Sequence, residues 1–216
     1  MAHFYFWEYR GKLRRDSKMN LTKKQKSAII GMVLGDGYLQ KTGKRNARLR
    51  LEHKADHYEY LLWKIKLLPR LFQGKPKTLE RIHPVTLNKY KYVRHQSNSS
   101  PLLGKIRKLF YLQGKKCIPK NLEKLLKDDI AFAIWYYDDG YYNKKDGSCW
   151  LYLGKVGKEE AEIASLALKN CFGLENSIKD KKNKGFVLYF HPSAKEKIKN
   201  ILKKYYVRVM AYKIPS

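Results

Sequence analysis

A chain of 216 residues with 44% hydrophobic content can bury a real core, as one large domain or two small ones. Its 47 lysines and arginines against 19 acids leave a formal charge of +28. Spread over the whole chain, that excess goes far beyond what solubility needs and points to a polyanion, nucleic acid first, although a basic ribosomal or structural protein shares such a composition. No apolar run approaches the roughly 18 residues of a membrane span, no secretory segment follows Met1, and three scattered cysteines (Cys117, Cys149, Cys171) form neither a disulfide framework nor a zinc site.

Residues 1–18 read as a basic extension. Thr22 caps a helix that runs through an apolar stretch to Asp36. Strands follow at 38–40 and 47–53, around a Thr42-Gly43-Lys44 turn. In the second of them Ala47, Leu49 and Leu51 alternate with Asn46, Arg48, Arg50 and Glu52, so one face is buried and the other presented. His53 and His57, four apart, could share a helix face; without a glutamate between them they read as a surface pair and not as a zinc site. A helix over 55–68 is expected to bury Tyr58, Leu61, Leu62, Ile65 and Leu68. A second hairpin spans 77–96, and a helix over 102–112 ends at Gly114.

The same order then repeats. Residues 121–139 read as mostly helix, 141–143 and 149–156 as a hairpin around Asp146-Gly147, and 158–171 as a helix. Residues 174–180 and 185–190 form another hairpin, and 193–205 the last helix. The expected architecture is α+β, with a basic extension at 1–18 and two αββαββα halves, 19–115 and 116–216.

Two stretches carry the chemistry. Ile29-Ile30-Gly31-Met32-Val33-Leu34-Gly35-Asp36-Gly37 and Phe132-Ala133-Ile134-Trp135-Tyr136-Tyr137-Asp138-Asp139-Gly140 are both apolar runs closed by Asp-Gly. An acid at a helix C-terminus sits on the negative pole of the macrodipole, where a cation is favoured. Gly31 and Gly35 would let the first helix approach a partner closely. If the two helix ends converge, Asp36 and Asp139 form an oxygen-ligand pair suited to Mg²⁺, with Mn²⁺ as an alternative. Such a centre can activate water and stabilise a leaving 3′ oxygen and the phosphate between them. Asp-Gly is also a common turn signal, which accounts for Asp146-Gly147 between two strands. Asp138 has no acidic match in the first motif, where Gly35 stands, and is read as a helper at most. Each half closes on a lysine and Ile-Pro: Lys116 before Ile118-Pro119, and Lys213 before Ile214-Pro215. These lysines are expected at the rim, stabilising developing negative charge.

The two motifs resemble those of the LAGLIDADG homing endonucleases in their double-motif, single-chain, intron-encoded form. Leu34 and Tyr137 replace the first aspartate of the family string, which is not the metal ligand there. The resemblance implies two halves about a pseudo-twofold axis with the motif helices at the interface, metal at Asp36 and Asp139, and catalytic-pocket lysines at Lys116 and Lys213. It further implies metal-dependent cutting of both strands of a long duplex site, leaving short 3′ overhangs.

The hairpins would form two saddles over the major groove, which admits a β-ribbon. Candidate DNA contacts in the first half are Gln40, Lys41, Arg45, Arg48, Arg50, Glu52, Arg81, Arg94 and Gln96. In the second half they are Asn143, Lys144, Trp150, Tyr152, Lys181 and Lys184. The expectation is a monomeric, intracellular endonuclease acting on double-stranded DNA, with bacterial cytoplasm and organelle not distinguishable. An intron RNA-splicing maturase on the same fold, binding intron RNA, and a non-catalytic DNA-binding regulator are the alternatives.

Overall fold

The computed structural model describes residues 20–82 and 84–216, so the expected extension over 1–18 lies outside the described residues. Helix α1 (Lys23–Leu34) starts from a capping box: Thr22 Oγ1 accepts the Gln25 N–H at 3.1 Å, and the Gln25 side chain accepts the Thr22 N–H at 3.0 Å. From Ser27 to Leu34 every residue is buried. A helix apolar on all sides belongs in the middle of a protein. It is followed by strands β1 (Tyr38–Lys41) and β2 (Ala47–Lys54), helix α2 (Tyr58–Lys66), strands β3 (Lys77–Ile82) and β4 (Lys89–Gln96), and helix α3 (Pro101–Phe110). After a linking segment the order repeats. Helix α5 (Ile130–Asp139), also buried all round from Ile130 to Tyr137, precedes β7 (Gly140–Tyr142), β8 (Cys149–Tyr152), α6 (Lys158–Phe172), β9 (Asn176–Asp180), β10 (Phe186–Phe190) and α7 (Pro192–Lys204). The linker holds two short strands, β5 (Tyr111–Leu112) and β6 (Lys115–Lys116), and one turn of helix, α4 (Leu122–Leu125).

Each repeat builds one antiparallel four-stranded sheet, ordered β1-β2-β4-β3 in the first and β7-β8-β10-β9 in the second. Helices α2 and α3 pack on the inner face of the first sheet and α6 on that of the second. The alternation read in β2 is realised: Ala47, Leu49 and Leu51 are buried, and Arg48, Arg50 and Glu52 face out.

The centre of the molecule is the α1–α5 contact. A Cβ added to Gly31 would lie 2.9 Å from Ala131 Cα, and one on Gly35 would lie 2.6 Å from Asp138 Cβ. Both glycines are therefore required by close approach, as their spacing suggested; their partners are Ala131 and Asp138. Replacing Gly31→Ala is expected to cost about 1–3 kcal/mol by overpacking. In a chain of this size that lowers the melting temperature by roughly 2–10 °C, readable by thermal denaturation.

The structure corrects several boundaries. The helix expected over 121–139 is broken between Leu125 and Ile130, because the Asp128 carboxylate accepts the Ile130 N–H (3.1 Å) in a local turn. The helix expected to reach 112 stops at Phe110. Tyr111–Leu112 pairs instead with Lys115–Lys116, across Gln113 (φ 49°) and Gly114 (φ 83°). In α2 the buried side is rotated from the expected one: Tyr60, Leu61 and Lys64 are inside, while Tyr58 is 39% exposed. A 3₁₀ segment, Arg208–Lys213, which no periodicity signalled, carries Lys213.

Candidate active site and nucleic-acid interface

Asp36 follows α1 directly, and Asp139 closes α5. Because the two helices pack side by side, both acids lie close enough to influence each other electrostatically, Asp36 and Asp139 lining neighbouring cavities. Asp139 accepts no hydrogen bond from any described residue. Burial, then the charges of Asp138 and Asp36, push its carboxyl up to about 7 against the pull of Lys116 and Lys213. Asp36 is half exposed (49%), and its carboxyl is raised by partial burial and by Asp138. Two carboxylates that hold their protons too tightly form a donor set short of a cation. Oxygen ligands of this kind fit a hard divalent ion.

Lys116 and Lys213 occupy matching places with more definite partners than a rim position implies. The Lys116 ammonium donates to the Gly35 carbonyl, at the end of α1. The Lys213 ammonium donates to the carbonyls of Tyr137 (2.7 Å) and Asp138 (2.8 Å), at the end of α5. Each lysine thus caps orphan carbonyls of one motif helix and shares a cavity with the acid of the other, Lys116 with Asp139 and Lys213 with Asp36. Burial draws both ammonium groups below the ordinary lysine range, and the three acids oppose it.

Asp138 is no loose helper. Its side chain is fully buried and accepts from Lys64 Nζ at 2.6 and 2.8 Å, from the Tyr60 hydroxyl at 2.8 Å and from the Asp36 backbone N–H at 3.0 Å. Burial pushes this carboxyl up, but Lys64, His53 and the hydrogen bonds outweigh it and hold the group ionised. Its oxygens are filled by these donors. Asp36, His53 and Asp138 do present ligand atoms within 4.8 Å of one another. The Lys64 ammonium, however, already stands on the anion that such a metal would need.

His53 departs from its expected surface pairing with His57. It lies buried on β2, its Nε2 3.1 Å from Lys64 Nζ and its Nδ1 3.7 Å from Asp36 Oδ2. Burial and then Lys64 push its imidazole down to about 3, so it is neutral. Since Lys64 only donates, Nε2 accepts and the ring proton sits on Nδ1, towards Asp36. The matching position in the second repeat is Leu153: Tyr38 pairs with Arg50 and Tyr141 with Trp150, which aligns His53 with Leu153.

The strand faces beside the acids form the expected outer surface. Cross-strand pairing puts Gln40, Arg48, Arg50, Glu52, Arg94 and Gln96 on one face of the first sheet, and Arg81 joins them from β3. Lys41 has the opposite parity at the strand end, and Arg45 lies in the β1–β2 turn. In the second sheet Trp150 and Tyr152 share the outer face. Lys181 reaches over the Trp150 ring (4.5 Å), and Lys144 and Lys184 lie in turns. Asn143 spends its amide locally, on Asp146 (2.8 Å) and the Lys145 N–H (3.1 Å). A groove of about 630 Å³ runs from Asp36 and Lys213 past His53 to Glu52, Arg81 and Tyr92, joining Asp36 to the first sheet's outer face, while Asp139 and Lys116 line a separate cavity of about 350 Å³ beside Leu153 and Lys155.

Comparison with known proteins agrees with this arrangement. The sequence profile of the LAGLIDADG DNA endonuclease family matches residues 26–198. The chain belongs to that family. Over 211 residues, 94% of the chain and 90% of the relative, it is 31% identical to a probable intron-encoded endonuclease 1 of Wickerhamomyces canadensis. It is 26% identical to the DNA endonuclease I-ChuI of Chlamydomonas applanata, over 91% of the chain and 96% of that protein. The homing endonuclease I-WcaI bound to its DNA recognition sequence superposes with a TM-score of 0.82 at 27% identity, covering 99% of the chain and 94% of I-WcaI. This LAGLIDADG chain thus has the α+β fold that its motifs implied. What the motifs did not reveal was the Tyr60–Lys64–His53 support behind Asp138. Its only trace is a lysine four residues after Tyr60, on the stripe that also carries Leu61 and Leu68. No helix among the described residues is long and apolar enough to cross a membrane.

Proposed function

We propose that this LAGLIDADG DNA endonuclease cuts a specific double-stranded site, hydrolysing one phosphodiester on each strand and leaving short 3′ overhangs. It does so as a monomer, the halves 19–115 and 116–216 each meeting one half-site. One observation carries the reading: two proton-retaining acids, Asp36 and Asp139, stand at paired helix ends, each with a lysine docked on the same helix end. Asp36 and Asp139 would hold the divalent ion, Mg²⁺ with Mn²⁺ as substitute. That ion supplies an activated water and charge neutralisation at the phosphate. Lys116 and Lys213, fixed by helix carbonyls, keep positive charge beside the reacting phosphates at no reorganisation cost. Asp138 takes no part in ligation; it holds the Asp36 backbone through its N–H.

The test is incubation of the protein with a library of duplexes in Mg²⁺, with EDTA as control. Cutting of one sequence class in Mg²⁺ and none in EDTA supports the reading. Tight binding to intron RNA without any duplex cleavage would place the chain with splicing maturases instead. With a charge of +28, affinity for DNA is expected to fall by about 10³-fold or more between 50 and 200 mM salt, measured by fluorescence anisotropy; a flat response would remove nucleic acid as the partner.

A further inference from the structure

The two outer sheet faces differ in kind. Seven arginines fall between residues 19 and 115, and a single one, Arg208, between 116 and 216. The first sheet carries Arg48, Arg50, Arg81 and Arg94 on its outer face, whereas the second sheet carries no arginine. The first sheet's arginines are also held in place. Glu52 accepts from Arg94 Nε at 2.8 Å and from Arg81 Nη2 at 3.2 Å. Both guanidinium groups lie over Tyr92, at 4.7 Å for Arg81 and 5.2 Å for Arg94. Glu52 also holds Arg94 Nη2 (2.7 Å), which donates to the Tyr92 hydroxyl as well (3.4 Å), so Nη1 is the donor that Arg94 keeps for a base, and arginine donates to the O6 and N7 of guanine. In the second sheet the aligned positions are Trp150 for Arg50 and Tyr152 for Glu52. Trp150 has its indole N–H satisfied by Ser148 (2.8 Å) and packs against Tyr189 (4.8 Å), and Tyr141 and Tyr152 stand 50% and 40% exposed. Apart from the Lys181 ammonium over the Trp150 ring (4.5 Å), such a surface offers apolar contact, chiefly from Tyr141 and Tyr152, which suits the thymine methyl, and no fixed arginine fork for guanine.

We propose that the target duplex is chemically lopsided: the half-site under β1–β4 is read through guanines by arginines that Glu52 positions, and the half-site under β7–β10 is read as A·T pairs by aromatic contact. This rests on the endonuclease reading above. Glu52, offered by the sequence as a direct DNA contact, becomes a positioning residue for Arg94 and Arg81.

The experiment is selection of bound duplexes from a fully randomised library with the full chain, without divalent metal, followed by sequencing. The expected result is fixed guanines in one half-site and A·T preference in the other. Arg94→Ala and Glu52→Ala should both erase preference at the same one or two base pairs, by about tenfold or more, with the other half-site unchanged. Trp150→Ala should relax only the A·T side. Fixed guanines in both halves would overturn the inference. So would an Arg94→Ala or Glu52→Ala variant that binds all sequences uniformly more weakly, the mark of a phosphate contact. Salt-sensitive binding with no selected sequence would overturn both this inference and the site-specific reading beneath it, whereas a selected site of another pattern would overturn this one alone. All three residues lie on the outer strand faces, and melting curves of the variants check that the fold is kept.

Discussion

Asp36→Asn and Asp139→Asn are each expected to lower double-strand cleavage by at least about a hundredfold while leaving duplex affinity within a few-fold of the parent. Each change removes a charge proposed to hold the metal without removing a hydrogen-bonding shape, so single-turnover cleavage and anisotropy in the absence of metal separate the two effects. A doubly substituted chain that still cuts at the parent rate would end the assignment. The Asp139 variant carries a second, opposite signature. In the folded metal-free protein this carboxyl titrates at about 7, against 3.8 for an unperturbed side chain. Between about pH 4 and 7 the unfolded chain has lost this proton and the folded one retains it, so folding becomes less favourable as pH rises through that window. Every pH unit by which the folded carboxyl outlasts the unfolded one costs about 1.4 kcal/mol before screening. With solvent screening, Asp139→Asn should stabilise the metal-free protein by the order of 2 kcal/mol at pH 8, with no gain at pH 3. Thermal melts in EDTA across that range check the sign. Adding divalent metal should raise the melting temperature of the parent by mass action and leave that of the Asp139→Asn variant nearly unchanged.

Lys64→Met is expected to cost about 3–5 kcal/mol, the penalty for leaving one member of a buried pair without its partner. Lys64 and Asp138 have fully buried side chains only 2.6 Å apart, so no water can replace the lost ammonium. Methionine fills much of the same volume, and the loss is therefore electrostatic. Combining Lys64→Met with Asp138→Leu removes both charges and should recover much of the stability. The same double variant leaves the Asp36 N–H without its acceptor and should still cut poorly. Urea denaturation gives the first quantity and single-turnover cleavage the second. Asp138 is held below the ordinary carboxylate range, so its contribution to stability is present above about pH 4 and is lost as pH falls further. A Lys64→Met protein as stable as the parent would show that the pair has no such role.

The paired apolar runs closed by Asp-Gly, the strand alternation around Arg48 and Arg50, and the matched Lys…Ile-Pro ends were legible because each is a local or repeated pattern. They sufficed for the fold, the order of elements and the placing of Asp36 and Asp139 at paired helix ends. Other features are long-range. Lys64 looks like a solvated helical lysine until α5 is placed beside it. His53 reads as one of a surface pair until β2 is seen to end beneath the acids. The break before Ile130 depends on Asp128 and Asp129, and the second of these is held from a distance by Tyr205 (2.6 Å) and Lys204 (3.0 Å). Asp138 stands in the sequence as an acid next to a candidate ligand, whereas its three donors, Lys64, Tyr60 and the Asp36 N–H, give it a structural role.

The Gly35–Asp138 contact also bears on how the two halves could ever be exchanged. Gly35 is the space into which Asp138 fits, and Asp138 is the anion that Lys64 requires. Two copies of the first half would set glycine against glycine and strand two buried ammonium groups. Two copies of the second would press aspartate against aspartate with no cation between them. The repeats have become lock and key to each other, so this chain is in effect an obligate heterodimer joined by a peptide linker. Splitting it between Lys116 and Leu122 should yield fragments that recover a folded core only when mixed, in one-to-one proportion.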